Sequence, residues 1–129
     1  MTTPSATPRQ RRGSVAHAAG AAAEESVARR YEERGLTVAA RRWRSPHGEV
    51  DLICRDGDIL VFVEVKRAAT LDAAAHRLGR RQMDRLLAAA QAFCAGEPRG
   101  LLTDMRFDLA LVDALGRVAV IENAFGEGW

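Results

Sequence analysis

The chain has 129 residues, 47% hydrophobic and 28% charged, with a formal net charge of +2. That length suits one domain with a proper core rather than two, and the balance is that of a globular protein, not a disordered one. No apolar run approaches the roughly 20 residues needed to cross a bilayer, so no membrane role is expected and a cytoplasmic location is.

Residues 1–14 hold Pro4, Pro8 and Gly13 with Arg9, Arg11 and Arg12, and have little to bury. They read as a flexible basic tail, leaving 15–129 as a single domain. The Arg- and Ala-rich start also has the makeup of a weak transit peptide; a tail is the simpler account. From about Val15 to Arg34 the composition is helical, with Gly35 as a C-terminal cap. Leu36 to Arg44 reads as a strand, closed by the turn Ser45-Pro46-His47-Gly48. Glu49–Arg55 and Ile59–Lys66 read as a hairpin joined by Asp56-Gly57-Asp58. Ile59 to Val63 is apolar on both faces, as a strand covered on both sides must be. A long helix is expected from about Asp72 to Ala95, stopped by Gly96-Glu97-Pro98. Strands Arg106–Asp113 and Arg117–Glu122 follow, around Leu115-Gly116. The order α-β-β-β-α-β-β predicts an α/β fold, a mixed sheet flanked by helices. Cys54 and Cys94 have no CxxC partner or nearby His, so buried reduced thiols are expected rather than zinc.

Chemistry is signalled by charge where the pattern demands burial. Along Ile59–Lys66, Leu60, Phe62, Glu64 and Lys66 share a face. A buried unpaired charge costs several kcal/mol, so Glu64 and Lys66 need each other, a metal, or water at the strand end. Glu49 and Asp51 share a face of the preceding strand, and the hairpin can bring Asp51 beside Glu64. Two neighbouring carboxylates repel unless one is protonated or a cation lies between them. Mg²⁺ suits such a pair, with Mn²⁺ as a substitute, because it needs only one or two carboxylates plus waters and phosphate. Lys66 is also the single lysine beside 18 arginines. A chain so biased towards Arg keeps a lysine where a compact ammonium is required. The bland account is a solvated Glu64–Lys66 pair ending a strand.

Three further groups surround this pair. Glu24 falls on the apolar stripe of the first helix, with Val27, Ala28 and Tyr31 at +3, +4 and +7. It is a candidate for a metal-bound water or second ion, or a glutamate favoured by the helix dipole. In the long helix, Leu71, Ala75, Leu78, Gln82, Leu86, Ala89 and Phe93 form a stripe in which Gln82 is the polar exception, a candidate hydrogen-bond partner to the site. Arg77, Arg81 and Arg85 recur every four residues beside it, a spacing that suits phosphates and also an ordinary solvated face.

The strings Gly48-Glu49-Val50-Asp51-Leu52-Ile53 and Leu60-Val61-Phe62-Val63-Glu64-Val65-Lys66 resemble the YraN-like family of predicted nucleases. The resemblance extends to Gly20, Glu24, Tyr31 and Gly35, to Gln82 with Arg85-Leu86, to Arg106-Phe107-Asp108, and to Asn123-Ala124-Phe125. That family is similar to the PD-(D/E)xK superfamily of restriction enzymes and archaeal Holliday-junction resolvases. The resemblance implies a restriction-endonuclease-like mixed sheet of four or five strands and a Mg²⁺ site. Asp51 and Glu64 would be its ligands beside the Val65 carbonyl, Lys66 the catalytic lysine, and Glu24 the acid of the first helix. The loop Arg67-Ala68-Ala69-Thr70-Leu71 departs from the pattern, being short and without the glycine often found there. The expected activity is metal-dependent endonucleolytic hydrolysis of DNA, branched or damaged DNA included, with a homodimer left open. The alternative is a nucleic-acid-binding or assembly module with little catalysis. A small-phosphoester hydrolase is disfavoured, since no glycine-rich phosphate loop is present.

Overall fold

The computed structural model describes residues 8–72 and 79–124, with side chains from Gly20 onward. Helix α1 (Pro8–Glu33) is followed by strands β1 (Thr37–Ser45), β2 (Gly48–Asp56) and β3 (Ile59–Arg67). Helix α2 (Arg80–Cys94), a short 3-10 turn (Gly100–Leu102), and strands β4 (Met105–Val112) and β5 (Val118–Ile121) complete the chain order. The five strands form one sheet in the order β1-β2-β3-β4-β5. Only β3 and β4 run parallel, the crossover between them carrying α2. This is the mixed α/β sheet with flanking helices that the pattern predicts.

Local chemistry sets the corners. Gly35 ends α1 with φ +88 and donates its N–H to the Glu32 carbonyl, while Leu36 donates to that of Tyr31. Such a left-handed cap is cheapest for glycine. Gly57, at φ +59, opens the two-residue loop between Asp56 and Ile59, which are paired across the hairpin. Positive φ at that position matches the sheet's twist.

Strand β3 is covered on both sides, as its unbroken apolar run requires. Val61 and Val63 pack with Leu52, Cys54 and the α1 residues Val27, Ala28 and Tyr31. Leu60 and Phe62 pack with Ile53 and the α2 residues Leu86, Ala89, Ala90 and Cys94. Burying each large side chain contributes about 1.5–3 kcal/mol. Cys54 and Cys94 lie in these two separate layers as free buried thiols, in agreement with expectation.

Two helix boundaries differ from the sequence reading. Helix α1 begins at Pro8, within the segment read as a tail; proline is favourable at a first helical position, where its missing N–H is not needed. The expected continuous helix from Asp72 to Ala95 is interrupted. Leu71 and Asp72 are helical, but Gly79 is extended (φ −108, ψ 160) and α2 starts only at Arg80. Glycine is about 1 kcal/mol worse than alanine inside a helix, which makes it the natural breaking point. Ala75, Arg77 and Leu78 lie outside the described residues.

Candidate active site

Strands β2 and β3 are paired from Asp56↔Ile59 back to Leu52↔Val63. Beyond that point β2 continues against β1 as far as Gly48, and β3 continues against β4 as far as Arg67. The two strands therefore part, and the residues that follow the last pair are Asp51 and Glu64. The expected juxtaposition of these carboxylates follows from the hairpin register. The Asp51 carboxylate (Oδ2) accepts a hydrogen bond of 2.8 Å from the Val65 N–H, tying the fork together with a side chain.

A kink in the outer strand pair turns Asp51 towards α1. Arg42 has φ +46, a left-handed conformation that costs a non-glycine residue roughly 1–2 kcal/mol. It lies between the pairs Arg41↔Leu52 and Trp43↔Val50, across from Asp51. Strict alternation fails on both strands at this level. Arg41 and Arg42 both reach α1, at 2.6 Å from Glu25 and Glu24 respectively. Ala40, Trp43, Val50 and Ile53 all pack on the α2 side. Leu52 packs on the α1 side, and Asp51 lines a cavity of about 240 Å³ with Glu24, Glu25 and Arg42.

Glu64 faces α2, as its alternation with Leu60 and Phe62 predicts. Its Oε1 accepts a 2.6 Å hydrogen bond from Gln82 Nε2 and lies 3.2 Å from the Lys66 ammonium. The side chains of Glu64 and Lys66 are only 9% and 19% exposed, so water screens this pair weakly. Glu49, Glu64, Gln82 and Arg85 line a second small cavity, of about 120 Å³. Glu49 and Asp51, expected on one face, thus line different cavities.

Electrostatics follow from this crowding. Burial, and then the neighbouring Glu64 carboxylate, push the Asp51 carboxyl up to about 7; the Val65 N–H works against them, and Glu24 and Glu49 add to the rise. Burial also raises Glu64, against the opposing pull of Lys66 and Gln82. Two neighbouring acids are thus held above their ordinary range chiefly by burial, Asp51 with a further push from Glu64. Among the described residues no group of three or more His, Cys, Asp or Glu is placed to hold a metal ion. What converges is a carboxylate pair with the Val65 backbone between them. Asp51 Oδ1 and Glu64 Oε2 receive no hydrogen bond among the described residues. Two carboxylate oxygens at one open strand fork suit Mg²⁺, which retains most of its waters.

The remaining candidates divide. Glu24 borders Asp51, as the helix stripe predicts, but its carboxylate is held by Arg42. Gln82 contacts the site directly. Arg81 and Arg85 are exposed on α2, Arg85 at the rim beside Glu64.

A second buried polar cluster was not singled out from the sequence. Asp108, fully buried in β4, accepts hydrogen bonds from Tyr31 Oη at 2.7 Å, from Arg106 Nε and Nη2 at 2.9 Å each, and from Asn123 N–H at 2.9 Å. Burial and the Asp108 carboxylate drive the Tyr31 phenol far above its ordinary range. With every donor answered, the cluster clamps α1 onto β4 and the segment after β5. The signal was present: an aspartate inside the apolar run Phe107-Asp108-Leu109 obeys the same rule that picked out Glu64.

Comparison with known proteins places the fork residues, with Glu24 and Gln82, within a matched region. The family described as "Uncharacterised protein family UPF0102" matches residues 23–112. A "UPF0102 protein" of Cereibacter sphaeroides is 61% identical over 113 residues, covering 88% of this chain and 97% of the relative. One from Ruegeria pomeroyi is 58% identical over 117 residues, covering 91% and 95%. Another, from Dinoroseobacter shibae, is 48% identical over 120 residues, covering 93% and 90%. No helix among the described residues is long and apolar enough to cross a membrane.

Proposed function

We propose that this chain, which belongs to the uncharacterised protein family UPF0102, is a metal-dependent endonuclease of the PD-(D/E)xK kind that hydrolyses phosphodiester bonds of DNA. The observation that carries this is the fork between β2 and β3. There Asp51 and Glu64 follow the last cross-strand pair as neighbouring carboxyls with raised pKa values, and the single lysine lies 3.2 Å from Glu64.

Asp51 and Glu64, with the Val65 carbonyl beside them, would hold Mg²⁺ or Mn²⁺, which when bound supplies Lewis acidity towards a phosphoryl oxygen and makes a water more acidic. The chain's own residues do the rest. The Val65 N–H fixes the Asp51 carboxylate, and Gln82 fixes that of Glu64, so each presents one oxygen to the fork. Lys66 offers three N–H donors on a compact ammonium. From its place beside Glu64 it orients the attacking water or neutralises charge growing on the phosphorus oxygens. Glu24, pinned by Arg42, and Glu49 add negative potential that favours a cation. Arg81 and Arg85 would meet substrate phosphates on the α2 side.

One observation favours a second reading, a nucleic-acid-binding module with little catalysis: Lys66 and Gln82 together satisfy Glu64 Oε1. The two are separated by Mg²⁺- or Mn²⁺-dependent nicking of junction, flap, single-stranded and duplex DNA. Wild type should cut at least one of these, and Asp51→Ala and Lys66→Ala should lose the activity. Equal nicking by both variants refutes the enzymatic assignment, and binding without cleavage by wild type supports the module.

A further inference from the structure

On the side of α1 away from Asp51, two adjoining cavities run between this helix and the β4–β5 turn. One, of about 510 Å³, is bordered by Ser26, Arg67 and Gly116. The other, of about 640 Å³, is bordered by Ser26, Arg29, Arg30 and Gly116. Because both share Ser26 and Gly116, they form one groove. Along α1 it follows residues 22, 26, 29, 30 and 33, one face of a 3.6-residue helix, over about 16 Å. Arg67, the residue after Lys66, reaches across it. Its guanidinium lies over Gly20, 3.9 Å from where a Cβ would stand. Arg117 closes the far side, held through Nε by Asp113 at 2.6 Å. Glu33 and Asp113 are the acidic residues along the groove.

This groove carries unspent positive charge. Arg41 is answered by Glu25, Arg44 by Glu49, Arg55 by Glu97 and Arg80 by Asp84, while Arg81, Arg85 and Arg99, which are exposed and make no ion pair among the described residues, lie away from it. Arg29, Arg30 and Arg67 make no ion pair or hydrogen bond among the described residues. Three unanswered guanidiniums around one concave surface make a ready receptor for a polyanion, since each can bind a phosphate in bidentate fashion. The groove begins at Arg67, the residue after the lysine of the carboxylate site but on the α1 side of the sheet. A 16 Å track accommodates about four or five nucleotides at the 3.4 Å rise of one strand.

We infer that the groove between α1 and the β4–β5 turn binds the sugar-phosphate backbone of a nucleic-acid strand through Arg29, Arg30 and Arg67. The inference rests on the nuclease reading for its ligand class, but it concerns a surface separate from the carboxylate fork and from the α2 arginines.

The test is binding of a fluorescein-labelled 20-nucleotide single strand, followed by anisotropy in EDTA across a range of salt. The triple variant Arg29→Ala/Arg30→Ala/Arg67→Ala should bind at least 30-fold more weakly. Its log–log salt slope should fall by about 2, three lost contacts at about 0.7 each. The matching triple lysine variant should recover most of the affinity, which a folding defect would not allow, and Arg44→Ala should stay within twofold of wild type. Unchanged affinity and slope in the alanine triple variant overturn the groove. If wild type then still cleaves DNA with Mg²⁺, only the groove has failed. If wild type neither binds nor cleaves, the nuclease reading falls with it.

Discussion

Replacing Asp51 with asparagine should make the metal-free protein more stable at alkaline pH, because it removes a buried charge held beside a second carboxylate. Burial and Glu64 raise the Asp51 carboxyl from its ordinary 3.8 to about 7. A group raised in this way binds its proton more tightly in the folded state. Stability therefore declines as pH rises from about 4 to about 7 and levels off beyond. The full penalty of holding the ionised carboxylate folded is about 4 kcal/mol, taken as a ceiling because Glu64 shares in it. Asparagine keeps an oxygen to accept the Val65 N–H and removes the charge. At pH 8 the variant should gain about 2–4 kcal/mol, a Tm rise of about 8–15 °C for a chain of this length. The gain should vanish near pH 4. Differential scanning calorimetry in EDTA at the two pH values measures this directly. Adding 10 mM Mg²⁺ at pH 8 should raise the wild-type Tm and leave the variant where it was. A variant no more stable than wild type at pH 8, or a gain equal at both pH values, would refute the reasoning.

Lys66→Arg should lose cleavage at least 100-fold while still binding DNA, since a planar guanidinium does not reproduce the ammonium position beside Glu64; single-turnover kinetics with separate binding titrations check this. Gln82→Ala should lower metal affinity about 10-fold with little effect on the fold, because it removes only the hydrogen bond that orients Glu64; Mn²⁺ titration by calorimetry reads it. Asp108→Ala should destabilise the protein by about 3–5 kcal/mol, since it leaves the buried Tyr31 hydroxyl without its acceptor and removes the shortest ion pair of Arg106. Tyr31→Phe, which leaves the other three donors to Asp108, should cost about 1–2 kcal/mol; urea unfolding ranks the two.

Much of this arrangement was legible because it follows from short-range rules. The Asp-Gly turn set the β2–β3 register, that register brought Asp51 beside Glu64, and period-two alternation put Glu64 and Lys66 on the α2 side. Gln82 was visible as the polar exception on a helical stripe. What escaped depends on backbone choices with weak sequence signatures. The left-handed Arg42, which breaks alternation on two strands and delivers Asp51 and Glu24 to one cavity, sits at a residue with no special preference for that conformation. Gly79 falls within the helix expected from Asp72 to Ala95, yet with its extended backbone it marks the start of α2. The Asp108 cluster escaped for a different reason: its partners come from α1, β4 and the residues after β5, and no local pattern pairs them. That Arg29 and Arg30 of α1 form no ion pair among the described residues is likewise visible only in the folded chain, since Glu32 and Glu33 stand within a turn of them in sequence.

The nuclease reading requires the strand fork to hold a divalent cation between Asp51 and Glu64. Anomalous diffraction from a crystal soaked in Mn²⁺ tests it most directly. A single strong peak about 2.0–2.3 Å from one oxygen of each carboxylate is expected, with Lys66 beside it. An empty fork at millimolar Mn²⁺, with Glu64 still held by Lys66 and Gln82 alone, would contradict the claim.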